Sequence, residues 1–132
     1  MKLFLYTDGG ARGNPGPAAS GIVIKNEAGE TIEHYGEYLG EQTNNYAEYM
    51  GIISALAKAK ELGATEVFCF LDSKLVVEQL NRRWKVKNLN IQKLFIQAWN
   101  IMQGFKKVTL THIPRAENKE SDAEVNKVLD LQ

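Results

Sequence analysis

Four carboxylates in this sequence stand where a solvated acid would not. Asp8 closes the apolar run "KLFLYT" and Asp72 closes "EVFCFL", so each ends a stretch that reads as a buried strand. Glu48 shares a helical stripe with Ile52, Ala55, Ala59 and Leu62, a face that should meet a sheet. Asp122 resembles it, with Val125 and Leu129 following at core-facing helical spacing. Singly, the strand-end pair has ordinary explanations: Asp72 as the cap of a helix that follows at once, Asp8 as a turn residue before glycine. Glutamate, by contrast, is rarely buried without a partner.

Two strand ends and two helix faces thus aim carboxylates at one crevice. Two such charges about 4 Å apart repel by roughly 4 kcal/mol at an effective dielectric near 20. Without a counter-ion, at least one takes up a proton. Divalent cations remove the conflict, and hard oxygen ligands without cysteine or a histidine pair favour magnesium or manganese over zinc. Clustered carboxylates holding paired cations drive in-line displacement at phosphorus in nucleases and phosphatases.

The elements that must position these acids follow from the pattern. "KLFLYTD" and "EVFCFLD" are apolar on both faces, which predicts central strands covered on each side. Between the first strand and the next, "SGIVIKN", the residues Gly9, Gly10, Gly13, Pro15, Gly16 and Pro17 read as a loop. It lacks the Gly-Lys-Ser/Thr ending of an ATP-type phosphate loop. "TIEHYGEYL" alternates as a third strand. "TNNYAEYMGIISALAKAKELG" is a helix that Thr43 or Asn44 can cap and Gly63 ends. "SKLVVEQLN" is a short helix, "NRRWKVKN" a basic connector, and a further helix carries Ile91, Leu94, Phe95, Ala98, Trp99 and Met102 on its apolar face. "KVTLTHI" is the last strand and "NKESDAEVNKVLDLQ" the last helix. The order β-β-β-α-β-α-α-β-α is an α/β fold, a mixed sheet with helices on its faces.

Composition narrows the partners. A chain of 132 residues is one ordinary domain, and equal numbers of acidic and basic residues, 16 each, give no net charge. The protein as a whole therefore exerts no strong pull on nucleic acid or acidic membranes, and a polyanion must be held by a local patch or by bound metal. Cys69 is the single cysteine and lies in an apolar run, which excludes an internal disulfide and suits a reducing cytosol. No run approaches membrane-spanning length. The reading is a monomeric, cytoplasmic domain over residues 1–132.

In "YTDGGARGNPGPAASGIVI", "TNNYAEYMGIISAL", "LDSKLVVEQL" and "RAENKESDAEVN", the chain resembles the type 1 ribonuclease H family along essentially its whole length. The resemblance implies a mixed five-stranded sheet with helices on both faces. It also implies hydrolysis of the RNA strand of an RNA–DNA hybrid by two metal ions, with magnesium as cofactor and manganese as a substitute. Products would carry a 5′-phosphate and a 3′-hydroxyl. By the family's scheme Asp8 bridges both ions, Asp122 helps hold the water-activating ion, and Glu48 with Asp72 hold the ion facing the leaving oxygen. Substrate contacts are implied at Gly9, Gly10, Asn14, Thr43, Asn44, Asn45, Ser73, Trp84, Lys85 and Asn118. The glycines would let the main chain approach the minor groove, and the asparagine amides can bond a 2′-hydroxyl, which DNA lacks.

The family often carries a histidine before the last acid, and gapless counting places His112 there; Arg115, in a Pro-Arg segment, is the preferred candidate for that role. Many members have an arginine for a DNA phosphate where this chain has Glu41. The connector residues Arg82, Arg83, Trp84, Lys85 and Lys87 are the substitute grip, since cations interleaved with an aromatic suit a phosphate backbone. Two rival readings remain: a hybrid-binding module without catalysis, and a metal nuclease of the same fold that also cuts double-stranded RNA or RNA–DNA junctions.

Overall fold

The computed structural model describes residues 1–132. Its elements are β1 (Lys2–Ala11), β2 (Gly16–Lys25), β3 (Thr31–Gln42), α1 (Asn44–Glu61), β4 (Glu66–Leu71), α2 (Lys74–Leu80), α3 (Leu89–Met102), β5 (Lys107–His112) and α4 (Lys119–Asp130). The predicted order β-β-β-α-β-α-α-β-α is the observed one, with a short 3-10 turn, Arg115–Glu117, before α4. The five strands lie in the order β3-β2-β1-β4-β5. Antiparallel pairing joins β1 to β2 and β2 to β3, whereas β1–β4 and β4–β5 are parallel.

Leu3 and Leu5 of β1, Ile22 and Ile24 of β2, and Val67, Cys69 and Leu71 of β4 pack with the inner faces of α1, α2 and α3 in the main core. On the sheet's other face α4 sets Val125 and Leu129 against Ala19 of β2 in a smaller one. Ile52, Ala55 and Ala59 of the predicted α1 stripe are fully buried, but Leu62, just beyond the helix end, is exposed.

Two sequence expectations change here. β1 and β4 are not covered on both faces: Phe4, Tyr6, Phe68 and Phe70 are only half-buried. Because α4 lies over β2, β3 and the carboxyl end of β1, these rings shield one another instead, as Phe4–Phe68 and Tyr6–Phe70 stacks at 5.1 and 4.9 Å. Lys107 lies over Phe68 and Lys25 over Tyr6, at 5.9 and 5.4 Å from the ring centroids. An aromatic run on a strand is thus compatible with an open sheet face.

The glycine-rich segment is also mostly strand rather than loop. Gly9 and Gly10 lie in β1, opposite Ser20 and Ala19, and Gly16 opens β2. Only residues 12–15 turn the chain, and Arg12 N–H closes the turn on the Pro17 carbonyl at 2.8 Å. What Gly9 permits is the approach of α1. A Cβ there would stand 2.3 Å from the Ala47 carbonyl carbon and 2.4 Å from the Glu48 nitrogen. Gly21 does the same for α4, since its Cβ would lie 2.1 Å from the Ser121 carbonyl oxygen. The two helices that carry Glu48 and Asp122 are seated on bare backbone.

This contact separates the neighbouring glycines. A Cβ at Gly10 would meet nothing closer than Val125 Cγ1, at 3.8 Å. Gly9→Ala should therefore lower stability by about 3 kcal/mol, the upper range for overpacking, and Gly10→Ala by less than about 1 kcal/mol. Urea denaturation midpoints measure both. Equal losses would show that the Gly9–α1 contact does not constrain the fold.

Candidate active site

The parallel ladder between β1 and β4 ends at Thr7 and Leu71. Asp8 and Asp72 are the next residue of each chain segment, so they leave neighbouring strands at the same carboxyl edge, where open α/β sheets bind ligands. Asp72 is not the cap of α2. Ser73 takes that task, its hydroxyl accepting from Val76 N–H, which leaves the Asp72 carboxylate free. Thr43 caps α1 through Tyr46 N–H, and Glu48 follows a little over one turn later.

Asp8, Glu48 and Asp72 each offer a carboxylate oxygen such that all three lie within 4.8 Å of one another. Asp122, in the first turn of α4, lines the same cleft of about 440 Å³. All four acids of the sequence reading thus line one cleft, three of them within reach of a shared ligand. Gly9, Gly10, Asn44, Asn45, Ser73 and Arg115 line it as well.

Gly9 N–H donates to Glu48 Oε1 at 2.6 Å and to Asp8 Oδ1 at 2.9 Å. Glu48 Oε2 is buried without a hydrogen-bond partner. Burial pushes the Asp8 carboxyl up to about 7, and the Asp72 charge and the bond with Asp122 add to the rise. Hydrogen bonds from Glu48 and Gly9 N–H oppose it. Glu48 is raised well above the usual carboxylate range, first by burial, then by the charge of Asp8 and its hydrogen bond with it. The Asp8–Glu48 pair thus retains a proton when nothing else balances the charge. An orphaned buried carboxylate oxygen beside two further acids is the donor set that a hard divalent cation satisfies. Nitrogen and sulfur ligands are remote from it: Cys69 lies in the main core, and neither histidine lines the cleft.

Other sequence candidates lie elsewhere. Asn118 does not face the cleft. It is 2% exposed, and its Nδ2 donates to the Thr7 carbonyl at 2.8 Å, tying the start of α4 to β1. Asn14 sits in the β1–β2 turn and accepts Asn44 N–H at 3.0 Å, and Asn44 Oδ1 accepts Ala11 N–H at 2.8 Å. Thr43 borders a separate cavity with Asn88 and Lys93. His112 ends β5 outside the cleft. Trp84 and Lys85 border another cavity of about 640 Å³, with Arg82, Arg83 and Phe95. Trp84 is 45% exposed and therefore not packed inward.

Two cleft residues escaped the sequence reading. Asn126 donates from Nδ2 to Asp122 Oδ2 at 3.3 Å, a pairing that the i, i+4 spacing on α4 contains. Arg12 lines the cleft from the turn and pairs with Asp130 at 2.6 Å, a contact 118 residues apart that no local pattern signals.

A reverse transcriptase-like family model matches residues 6–128. The bifunctional protein Rv2228c of Mycobacterium tuberculosis is 43% identical over 131 residues, covering 98% of this chain but only 36% of its own length, so the chain spans about a third of that relative. The crystal structure of RNase H1 from the halophilic archaeon Halobacterium salinarum NRC-1 superposes with a TM-score of 0.97 at 36% identity, covering 100% of both chains. LC11-RNase H1 in complex with an RNA/DNA hybrid gives 0.93 at 39% identity, over 98% of this chain and 97% of that one.

The raised Asp8 value has a stability consequence. Unfolded, the group titrates near 3.8; folded, near 7. Between those values the folded state binds more protons, so stability falls as pH rises through that window. In a divalent-free buffer at pH 8, Asp8→Asn should be more stable than the wild type by roughly 1–3 kcal/mol, with the gap closing toward pH 4. Urea titrations in chelator at several pH values measure this; a gap that widens on acidification would contradict it.

Proposed function

The chain belongs to the type 1 ribonuclease H family, and we propose that it is an endonuclease cutting the RNA strand of RNA–DNA hybrids. Its cofactor in this reading is magnesium, with manganese as a substitute, held by Asp8, Glu48, Asp72 and Asp122. The observation that carries the reading is the convergence of three carboxylate oxygens within 4.8 Å, in a cleft bordered by the Asn44 and Asn45 amides. The hybrid-bound relative at 39% identity supports the substrate class.

Bound divalent cations supply an acidified water and charge neutralisation at the phosphorus and the leaving oxygen. The chain's own residues do the rest. Gly9 N–H holds Glu48 by Oε1 and leaves Oε2 uncommitted. Asn118 anchors α4 to β1 and so sets Asp122 beside Asp8. Asn44 has its oxygen engaged by Ala11 N–H, which fixes the amide orientation and leaves Nδ2 to donate to a 2′-hydroxyl oxygen. Asn45, exposed on the next residue, can donate and accept. This pair is the proposed discriminator between RNA and DNA at the cut strand.

Arg115 takes the role that the histidine reading would give His112, because Arg115 borders the cleft and His112 does not. A guanidinium attracts the departing 5′-phosphate but does not accept a proton. Trp84 and Lys85 are the proposed contacts for the DNA strand, an exposed ring beside cations.

Cleavage of an end-labelled RNA strand in a hybrid, a double-stranded RNA and a DNA duplex tests the reading. Magnesium-dependent cutting of the hybrid alone, abolished by Asp8→Asn, is the expected result. Hybrid binding without cutting would leave a binding module, and equal cutting of double-stranded RNA would overturn the specificity. In the same assay Arg115→Ala should lower kcat by about ten-fold or more, whereas His112→Ala stays near the wild type. The reverse ranking would return the role to His112.

A further inference from the structure

The connector between α2 and α3 carries Trp84 and Lys85, yet neither a helix nor a strand holds it. Arg82 is in the left-handed region, at φ 63°, and the chain then leaves α2 with Arg83 and Trp84 N–H both donating to the Glu78 carbonyl. Beyond that point two successive carbonyls are held by side-chain amides. Gln92 Nε2 donates to the Val86 carbonyl at 2.8 Å, and Gln79 Nε2 to the Lys85 carbonyl at 3.1 Å.

Gln79 is the more constrained of these two amides. It is 6% exposed, and its other end accepts the Tyr49 hydroxyl at 2.6 Å. Tyr49 is fully buried and directly follows Glu48 on α1. One side chain therefore joins the helix carrying a catalytic acid to the segment carrying the exposed ring. A buried amide has to find partners at both ends, so its geometry is set by them. Packing alone would be served equally by an apolar side chain at this place on α2.

We propose that Gln79 is a positioning residue for substrate binding, fixing the Trp84–Lys85 segment relative to α1 through its paired bonds to Tyr49 and the Lys85 carbonyl. The inference rests on the reading that Trp84 and Lys85 touch the hybrid. A connector held in place before binding loses less conformational freedom when the nucleic acid docks. The bond does not touch the carboxylates or Gly9 N–H, so it acts on binding and not on the bond-breaking step.

Steady-state cleavage of the hybrid by Gln79→Met tests this, because methionine keeps the length and apolar contact and removes both bonds. KM should rise about five-fold, the loss of one net hydrogen bond's worth of placement, while kcat stays within about two-fold. In a Trp84→Ala/Lys85→Ala background the same substitution should raise KM no further, since the groups it positions are gone. Tyr49→Phe, which removes one bond and no volume of note, should raise KM in the same direction and stands in if Gln79→Met fails to fold. An unchanged KM in Gln79→Met or, failing its folding, in Tyr49→Phe overturns the inference. So does a rise that persists undiminished in the double-alanine background, which marks a purely structural role. If Trp84→Ala/Lys85→Ala raises KM and Gln79→Met does not, the connector reading stands and this inference falls. If the double-alanine variant itself leaves KM unchanged, both fall.

Discussion

The arrangement depends on one place where a helix lies directly on strand backbone. At Gly9 the Ala47–Glu48 peptide of α1 occupies the space of a missing Cβ, and the Gly9 N–H reaches Glu48 Oε1 at 2.6 Å. That approach fixes the height of α1 above the sheet, and everything on α1 inherits it. Asn44 and Asn45, one turn earlier, are brought to the rim of the cleft. Tyr49, one residue later, is turned into the core toward α2. An alanine at position 9 would force the helix outward and with it the acid, the rim amides and the link to the connector. Glycine here is a packing requirement, whatever its backbone also offers to the cleft that it lines.

The acids converge against their own repulsion, so each must be held by something other than its neighbours. Asp8 is held by β1, between the antiparallel ladder to β2 and the end of the parallel ladder to β4. Asp72 is fixed by the start of α2, whose cap is Ser73. Asp122 is fixed by α4, which Gly21 seats and Asn118 ties to Thr7. Two hydrophobic cores, one on each side of the sheet, supply the framework. A folded chain with a carboxyl driven up to about 7 is storing unfavourable energy at its site. Binding a cation that only the folded state can hold converts that liability into affinity.

What the sequence made legible follows from this division. Periodicity carried Glu48, because an acid at helical spacing from Ile52, Ala55 and Ala59 has to be buried. Strand ends carried Asp8 and Asp72, which meet Glu48 within 4.8 Å while Asp122 lines the same cleft. The glycine-rich run reads as loop because composition registers the absence of side chains without telling what fills the space; at Gly9 and Gly21 a helix does. The aromatic strands read as doubly covered because apolarity on both faces does not reveal that two rings stack on each other at 5.1 or 4.9 Å. Asn118 illustrates the same limit: its motif is real, but only the fold shows that its amide turns inward to Thr7. Arg12 has no sequence signature at all, since its partner Asp130 lies at the other end of the chain.

Zero net charge also takes on meaning once the charges are placed. The cleft gathers four acids against Arg12 and Arg115, while the connector gathers Arg82, Arg83, Lys85 and Lys87. Within that group Arg83 is committed, bound through two nitrogens to Glu78 at 2.7 and 2.8 Å, and Arg82 lies over the Trp99 ring at 5.4 Å. Few cations are left to meet a phosphate backbone, and at physiological salt each acts over only about 8 Å. A strongly basic protein can tolerate a mobile grip because its field captures the polyanion from a distance. Here the net charge is zero, so the proposed hybrid contact would draw its affinity from a small number of groups already in place. In the proposed reading that makes the orientation of the connector a functional quantity, and a buried amide with both of its ends engaged is suited to fix it.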